Sequence, residues 1–396
     1  MPSNLVVLFL SLFLGLQPIT TDLYLPALPA LTEGFGASMG QAQLTLTALL
    51  LAFGTSQLAW GPLSDRFGRR PILLAGLAIY AVAAFGSMFA SSMDWLIGWR
   101  GMQGVAMGAV VMCARAMTRD LYSPLDGARA MSKGFTGLGA IACVSPLIGG
   151  VLSDAFGWRA AMAALSVFST AVLVLAYFKF QETIQSRNLL ALQPATLART
   201  WGTIVRNPTF WAYALLATTS YVGLFVFLAS SSFVFIKALG LGKTQYGLVM
   251  SSMSISYIVG TFICRRLLAR FGVLRTVWLG GWVTLASATL LAGFAMAGLA
   301  SVWTVLPPFC LYMLGHGVHQ SCGQSGAVGP FPQSAGAASA MAGFMMMVCA
   351  FAMGGWLGTH MDGTVKPLAY GVAFWAVLIV LTAWVLVQRY GQQPKH

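Results

Sequence analysis

Long apolar stretches, separated by short polar segments, run through the whole of this sequence. A helix needs roughly 20 residues to cross the hydrocarbon layer of a membrane, and twelve stretches reach that length. Composition agrees, since 58% of the 396 residues are hydrophobic and only 8% are charged, whereas a soluble chain has about 25% charged residues. We therefore predict an all-α membrane protein with 12 transmembrane helices.

The predicted spans are residues 3–28, 41–63, 71–91, 95–117, 133–153, 158–178, 209–236, 245–268, 275–297, 302–326, 334–358 and 367–388.

The basic residues are distributed unequally between the two sides of the membrane. If the N-terminus is cytoplasmic, 17 Lys and Arg residues fall on the inner side and four on the outer side. Positive charge concentrates on the cytoplasmic side of membrane proteins, so both termini are predicted to be cytoplasmic. The net charge of +13 is then explained without a nucleic acid, and anionic membrane lipid is a sufficient partner.

The longest polar interval divides six spans from six and predicts three parts. These are an N-terminal six-helix bundle (1–182), a cytoplasmic linker (183–208) and a C-terminal six-helix bundle (209–396). The linker's apolar side chains among basic ones are compatible with a short helix on the membrane surface or with a solvated loop; they are Leu189, Leu190, Leu192, Leu197 and Trp201. A weak repeat at an offset of 204 residues, with Ala269 in place of Asp65, supports two related halves.

The loop after the second span, GPLSDRFGRRP, places one carboxylate beside three arginines at the membrane edge. Asp65 there ends a helix, where its charge needs a compensating cation or helix N-terminus. A topology signal alone would explain the arginines but not Asp65. The segment resembles the loop motif of the major facilitator superfamily, which implies a conformational latch and two pseudo-symmetric bundles. The matching residues are Gly61, Leu63, Asp65, Arg66, Gly68, Arg69 and Arg70.

Two further segments resemble motifs of the same superfamily. LIGWRGMQGVAMGA places Arg100 and Gln103 on one face of the fourth span, and an arginine in a span should face a cavity or a partner, or else lie at the outer interface. The fifth span resembles the exporter motif at Pro146, Gly149 and Gly150, although Ser145 replaces a glycine. Together with TDLYLPALP, these segments resemble the Bcr/CflA branch of drug:proton antiporters.

Asp22 is the one acidic residue well inside a predicted span. We expect its protonation to change with conformation and substrate, because the membrane interior disfavours charge while Arg100 attracts it. Asp22 and Arg100 are therefore the predicted proton-coupling pair, and together with Tyr24 and Gln103 they are predicted to bind substrate. The alternative is that Asp22 only caps a helix break before Pro26 and Pro29.

The tenth span has a polar stripe at helical spacing, formed by His316, His319, Gln320 and Gln324. It is predicted either to bind substrate in a central cavity or to hydrogen-bond neighbouring helices. Trp60, Tyr221 and Phe225 are candidate cavity aromatics, with packing as the alternative.

Catalytic motifs of the HExxH, GxSxG and phosphate-loop types are missing from the sequence, so we do not expect an enzyme. The six cysteines have no metal-ligand spacing, and neither a metal nor a cofactor is predicted. The predicted function is export of small drug-like or metabolite molecules in exchange for protons; a proton-coupled importer of a metabolite such as a nucleoside is the alternative. We expect a monomer in the bacterial inner membrane.

Overall fold

The computed structural model describes residues 1–122, 124–184 and 192–391. Its helices are α1 (Ser3–Asp22), α2 (Leu28–Gly34), α3 (Met39–Phe67), α4 (Arg69–Met88), α5 (Met93–Leu121), α6 (Pro124–Phe156), α7 (Trp158–Lys179), α8 (Pro194–Val205), α9 (Pro208–Ser232), α10 (Lys243–Met296), α11 (Val302–Val328), α12 (Ala335–His360), α13 (Lys366–Leu381) and α14 (Val387–Tyr390).

The predicted all-α membrane fold is confirmed. In the described part of the chain, ten segments are long and apolar enough to cross a membrane. One of them is α10, whose 54 residues contain Gly272 at φ 71°. This conformation suits glycine and interrupts the helix, so α10 contains two of the predicted spans. The tenth predicted span coincides with α11. This helix is not among the ten segments, because its prolines, histidines and glutamines lower its mean hydropathy.

The chain forms two compact units. The first contains Met1–Arg199 and Lys243–Gly247, and the second contains Thr200–Gly242 and Leu248–His396. The boundary falls inside α8, within the predicted linker. Leu189 and Leu190 lie outside the described residues, whereas Leu197 and Trp201 are half-buried one turn apart on α8.

Glycines allow close helix contacts in the first unit. A side chain at Gly104 of α5 would collide with the Leu49 carbonyl of α3, and one at Gly108 would collide with Ser56. Gly137 of α6 packs in the same way against Ser11 of α1. Small residues are the usual means of bringing membrane helices together, because dispersion contacts replace the hydrophobic effect there.

Helix α9 is the centre of the second unit. It packs against α11, α12 and α13, and most of its side chains are buried. Gly223 makes room for Tyr312 of α11, whose hydroxyl donates to the Ser220 carbonyl at 2.9 Å.

Candidate functional site

A break in the first membrane helix creates the polar centre of the first unit. Helix α1 ends at Asp22, and a single 3-10 turn, Leu25–Ala27, leads into α2. Proline has no backbone N–H, so Pro26 cannot donate to the Asp22 carbonyl four residues earlier. The break therefore follows from the sequence, and it leaves the C-terminal end of α1 inside the unit.

Arg100 of α5 lies against this helix end and is fully buried. Its Nη1 donates to Gln103 Oε1 at 2.9 Å, and its Nη2 donates to the Thr20 carbonyl at 3.0 Å. The guanidinium carbon is 4.5 Å from the centre of the Tyr24 ring. A carbonyl in the last turn of a helix and an aromatic face both attract a cation, so these contacts offset part of the cost of burying the charge.

Asp22 lies close in sequence to these contacts but does not pair with Arg100. Among the described residues the two side chains form no ion pair within 4.0 Å. The half-buried carboxylate accepts a hydrogen bond from the Thr21 hydroxyl at 2.7 Å. Arg100 Nε has no hydrogen-bond partner in the described structure. Both groups of the predicted proton-coupling pair thus retain hydrogen-bonding capacity.

Hydroxyl groups from two other helices, α3 and α4, complete the polar centre, and the sequence did not predict them. Tyr80 of α4 lies 2.6 Å from the Thr20 hydroxyl, and the Tyr24 hydroxyl lies 2.8 Å from Thr45 of α3. Gln103 Nε2 donates to Ser87 at 3.5 Å. Polar residues inside apolar spans were the available signal, but their spacing alone does not identify their partners.

Trp60 forms its hydrogen bond outside this network. Its indole N–H donates to the Val105 carbonyl of α5 at 2.8 Å, so its one donor joins α3 to α5.

The predicted latch is a network of ion pairs around Arg69, which is 2% exposed. Arg69 Nη2 lies 2.6 Å from Asp65 and Nε lies 2.9 Å from Asp120 of α5. Its Nη1 donates to Ser64 at 2.7 Å. Arg69 is therefore the nearer of two cations that compensate Asp65 at the end of α3, the other being Arg119 at 3.7 Å. Arg66, in contrast, is exposed and lies over the Phe67 ring.

Glu182, which follows α7, belongs to the same network and was not predicted to do so. Its carboxylate accepts hydrogen bonds from the backbone N–H groups of Arg69 and Arg70, at 2.9 and 3.2 Å. These are the first residues of α4, where a negative charge is favourable with the helix dipole. Gly68 has φ 106°, and a Cβ there would lie 2.5 Å from Glu182 Oε2.

The remaining latch residues support these contacts. Arg70 donates to the Tyr177 and Phe180 carbonyls, both at 3.0 Å. Gly61 faces Met112 of α5, with room for ordinary van der Waals contact.

The exporter-type motif packs α6 against the break in α1. Gly149 is in contact with the Leu23 carbonyl, one residue past Asp22. Gly150 faces the backbone of Lys243, in the segment that clusters with the first unit. Pro146 lies inside α6, so helix α6 continues through the motif.

The polar stripe of α11 faces several neighbours in the second unit. His316 Nδ1 lies 2.8 Å from the Ser220 hydroxyl of α9. His319 faces Gly280 of α10 and lies beside the Val277 backbone of the same helix. Gln320 Nε2 donates to Met346 Sδ of α12 at 3.6 Å, while Gln324 is exposed.

The two candidate aromatics of α9 are both buried. Phe225 is 1% exposed and Tyr221 is 9% exposed.

A family model for the Major Facilitator Superfamily matches residues 8–355. The chain belongs to this superfamily. Its members are membrane transporters rather than enzymes, and the chain is accordingly a multi-pass membrane transporter.

Three curated relatives agree with this assignment. Multidrug resistance protein D of Escherichia coli is 30% identical over 85% of this chain and 84% of the relative. A chloramphenicol resistance protein of Pseudomonas aeruginosa is 30% identical over 85% and 79%. A bicyclomycin resistance protein homolog of Haemophilus influenzae is 26% identical over 97% and 96%. The predicted resemblance to the Bcr/CflA branch is confirmed.

A solved structure supports the superfamily fold independently. The bacterial homolog to the human lysosomal transporter Spinster matches with a TM-score of 0.75 and 13% identity, over 99% of each chain. At this identity the match concerns the fold alone.

Proposed function

We propose that this transporter exports small drug-like molecules in exchange for protons by alternating access. Relatives at 26–30% identity are named for resistance to chloramphenicol, bicyclomycin or multiple drugs. The polar centre of the first unit supplies groups suited to proton coupling. The observation that carries the proposal is the position of Asp22, which ends α1 two residues after the carbonyl that binds Arg100.

Asp22 is the proposed proton carrier. One carboxylate oxygen accepts the Thr21 hydroxyl hydrogen bond, and the other is available to hold a proton. In its protonated form the side chain is neutral, which removes the cost of a charge in the membrane interior. In its ionised form it is attracted to the guanidinium of Arg100, whose Nε has no partner in the described residues.

Exchange of substrate for protons follows when a proton and a substrate molecule compete for the polar centre of the first unit. A proton on Asp22 weakens its attraction to Arg100 and to a substrate with a donor or a partial positive charge. Loss of the proton restores both attractions. One deep carboxylate gives about one proton per cycle and favours neutral, zwitterionic or weakly basic substrates.

The proposal places the protein as a monomer in the bacterial inner membrane, with both termini in the cytoplasm. The 17 to 4 distribution of basic residues supports that orientation. Asp22, Tyr24, Arg100 and Gln103 are the proposed binding residues of the first unit. His316, His319 and Gln320 are the corresponding polar candidates of the second unit.

Transport in liposomes tests the proposal. Purified protein is reconstituted with an imposed pH gradient, and the flux of chloramphenicol, bicyclomycin and a panel of nucleosides is measured together with proton flux. We expect drug to move opposite to protons. Accumulation of a nucleoside in the same direction as protons would instead establish the importer.

A further inference from the structure

Three tryptophans form an exposed cluster on the second unit, and we call it the tryptophan patch. It consists of Trp278 and Trp282 of α10 and Trp384, in the π-helical segment Thr382–Leu386 that joins α13 to α14. The ring centres of Trp282 and Trp384 are 4.6 Å apart, and those of Trp278 and Trp282 are 5.8 Å apart. The indole N–H of Trp384 donates to the Trp278 carbonyl at 3.0 Å, which fixes the patch across two membrane helices.

The patch presents apolar area outward. Trp278 is 41% exposed and Trp282 is 48% exposed, although their contacts with Trp384 hold them in place. On a membrane-spanning helix, an exposed aromatic surface faces lipid, and tryptophan is enriched where acyl chains meet headgroups.

An exposed arginine continues the patch along the same face of α10. Arg275, Trp278 and Trp282 follow the spacing i, i+3 and i+7, which aligns side chains on one helix face. At 1.5 Å per residue, Arg275 and Trp282 are separated by about 10 Å along the helix axis. A cation at one end and indole rings at the other match a phospholipid's phosphate and the upper part of its acyl chains.

A second arginine lies at the same end of the unit. Gln388 Nε2 donates to the Leu274 carbonyl at 3.0 Å, which holds the end of α14 beside the residue before Arg275. Arg389 follows directly and is exposed. Within the described ranges, neither Arg275 nor Arg389 has a carboxylate within 4.0 Å.

The sequence explains why these arginines have no acidic partner. From residue 200 onward the chain has one acidic residue, Asp362. It precedes a 25-residue segment, Lys366–Tyr390, that ends beside Arg389, so it lies about 37 Å away along the helix axis. Hydrogen bonds from Thr364 hold the pKa of Asp362 below its usual range, and its carboxylate stays in that distant loop.

The equivalent loop of the first unit differs because it has acidic partners. There Arg69 pairs with Asp65 and Asp120, whereas Ala269 stands at the position matching Asp65 in the second unit. A topology signal would account for the two arginines but not for the alignment of Arg275 with the tryptophan patch.

We propose that Arg275, Arg389 and the tryptophan patch form a binding site for one anionic phospholipid. The two guanidinium groups bind the phosphate and the additional headgroup charge, and the indole rings contact the acyl chains. Anionic headgroups gain about 1 kcal/mol per basic residue at a membrane surface, which is about fivefold in affinity. The site does not depend on the proposed transport activity, because lipid binding is measured without substrate.

Native mass spectrometry tests the site on detergent-purified protein titrated with phosphatidylglycerol or with phosphatidylcholine of the same acyl chains. We expect wild type to retain one phosphatidylglycerol more tightly than phosphatidylcholine. The Arg275→Gln/Arg389→Gln double variant should bind phosphatidylglycerol at least about tenfold more weakly. Arg129→Gln is the matched control, because Arg129 is exposed in the first unit and pairs with Asp126.

The result that overturns the site is equal phosphatidylglycerol affinity in wild type, the double variant and the control. Equal affinity of wild type for the two lipids would also overturn it. Trp282→Phe and Trp282→Leu test the acyl contact, and only the leucine variant should weaken binding clearly. Glycerol phosphate, which has no acyl chains, should not displace the lipid; displacement at the same concentration would contradict the role of the tryptophans.

Discussion

The guanidinium group of Arg100 lies 4.5 Å from the centre of the Tyr24 ring, and Tyr24 is held in turn by Thr45 at 2.8 Å. Tyr24 follows the end of α1 by two residues, so its ring covers the cation where the helix breaks. The arrangement stabilises a buried charge without a carboxylate. It also leaves Asp22 outside an ion pair, so that its carboxylate can take up or release a proton.

The two contacts of Tyr24 can be separated by substitution. Tyr24→Phe keeps the ring over Arg100 and removes the hydroxyl contact with Thr45, at an expected cost of about 1 kcal/mol. Tyr24→Leu also removes the aromatic face, which adds about 1–2 kcal/mol. Thermal unfolding in detergent should rank wild type above Tyr24→Phe and Tyr24→Phe above Tyr24→Leu. Equal melting temperatures for the two variants would contradict the cation–π contact.

Substitutions of Arg69 and Arg66 can be compared, because both belong to the predicted latch but only Arg69 is buried. Arg69→Ala leaves Asp65 and Asp120 with only the exposed Arg119 as a cation, at 3.7 and 4.0 Å. Because Asp65 is 37% exposed, the expected cost is at the lower end of the about 3–5 kcal/mol that removal of one partner from a buried ion pair costs. Arg66→Ala changes an exposed side chain and should cost about 0.5 kcal/mol or less. Melting temperature and transport rate measured on both variants test the difference. Similar losses in the two would show that Arg69 is not the centre of the network.

Glu182 is expected to stabilise the start of α4. Glu182→Gln keeps acceptor capacity but loses the charge, and should cost about 0.3–1 kcal/mol through the helix dipole. Glu182→Ala removes the acceptors as well and should cost more. Glu33→Gln is the control, since Glu33 is an exposed carboxylate near the C-terminal end of α2, where a negative charge gains nothing from the helix dipole. The assignment fails if the alanine variant unfolds at the wild-type temperature.

Gly104 and Gly101 test the close contact between α3 and α5. A methyl group at Gly104 would collide with the Leu49 carbonyl, whereas nothing lies within 4 Å of a methyl group at Gly101. Gly104→Ala should therefore destabilise by about 1–3 kcal/mol, as other overpacking substitutions do. Gly101→Ala should be neutral or slightly stabilising, because alanine favours helix. Thermal unfolding measures both, and equal effects would argue against the contact.

Most of the fold could be predicted from the sequence, because span length and apolar composition are local properties. The break in α1 follows from Pro26 and Pro29 in the same way. Glu182 could not be placed, since it meets Arg69 across 113 residues of sequence and only tertiary packing brings the two together. The ion pair between Asp65 and Arg69 was among the expected ones because Arg69 is one of three arginines that closely follow Asp65 in the sequence.

The polar stripe of α11 illustrates a different limit. Helical periodicity correctly places His316, His319 and Gln320 close together on the helix, but it does not say which helix each side chain meets. In the structure they face α9, α10 and α12 respectively. The partners depend on how α11 is surrounded, which no local pattern records. Their role in substrate binding therefore stays a prediction.

The most direct measurement is proton-coupled transport by Asp22→Asn, with Asp94→Asn as control because Asp94 is an exposed acid in the first turn of α5. Both variants are reconstituted in liposomes with an imposed pH gradient, after thermal unfolding has shown that they are folded. We predict that Asp22→Asn loses pH-driven drug movement and its accompanying proton flux, while Asp94→Asn retains both. Unchanged coupling in folded Asp22→Asn would contradict the account.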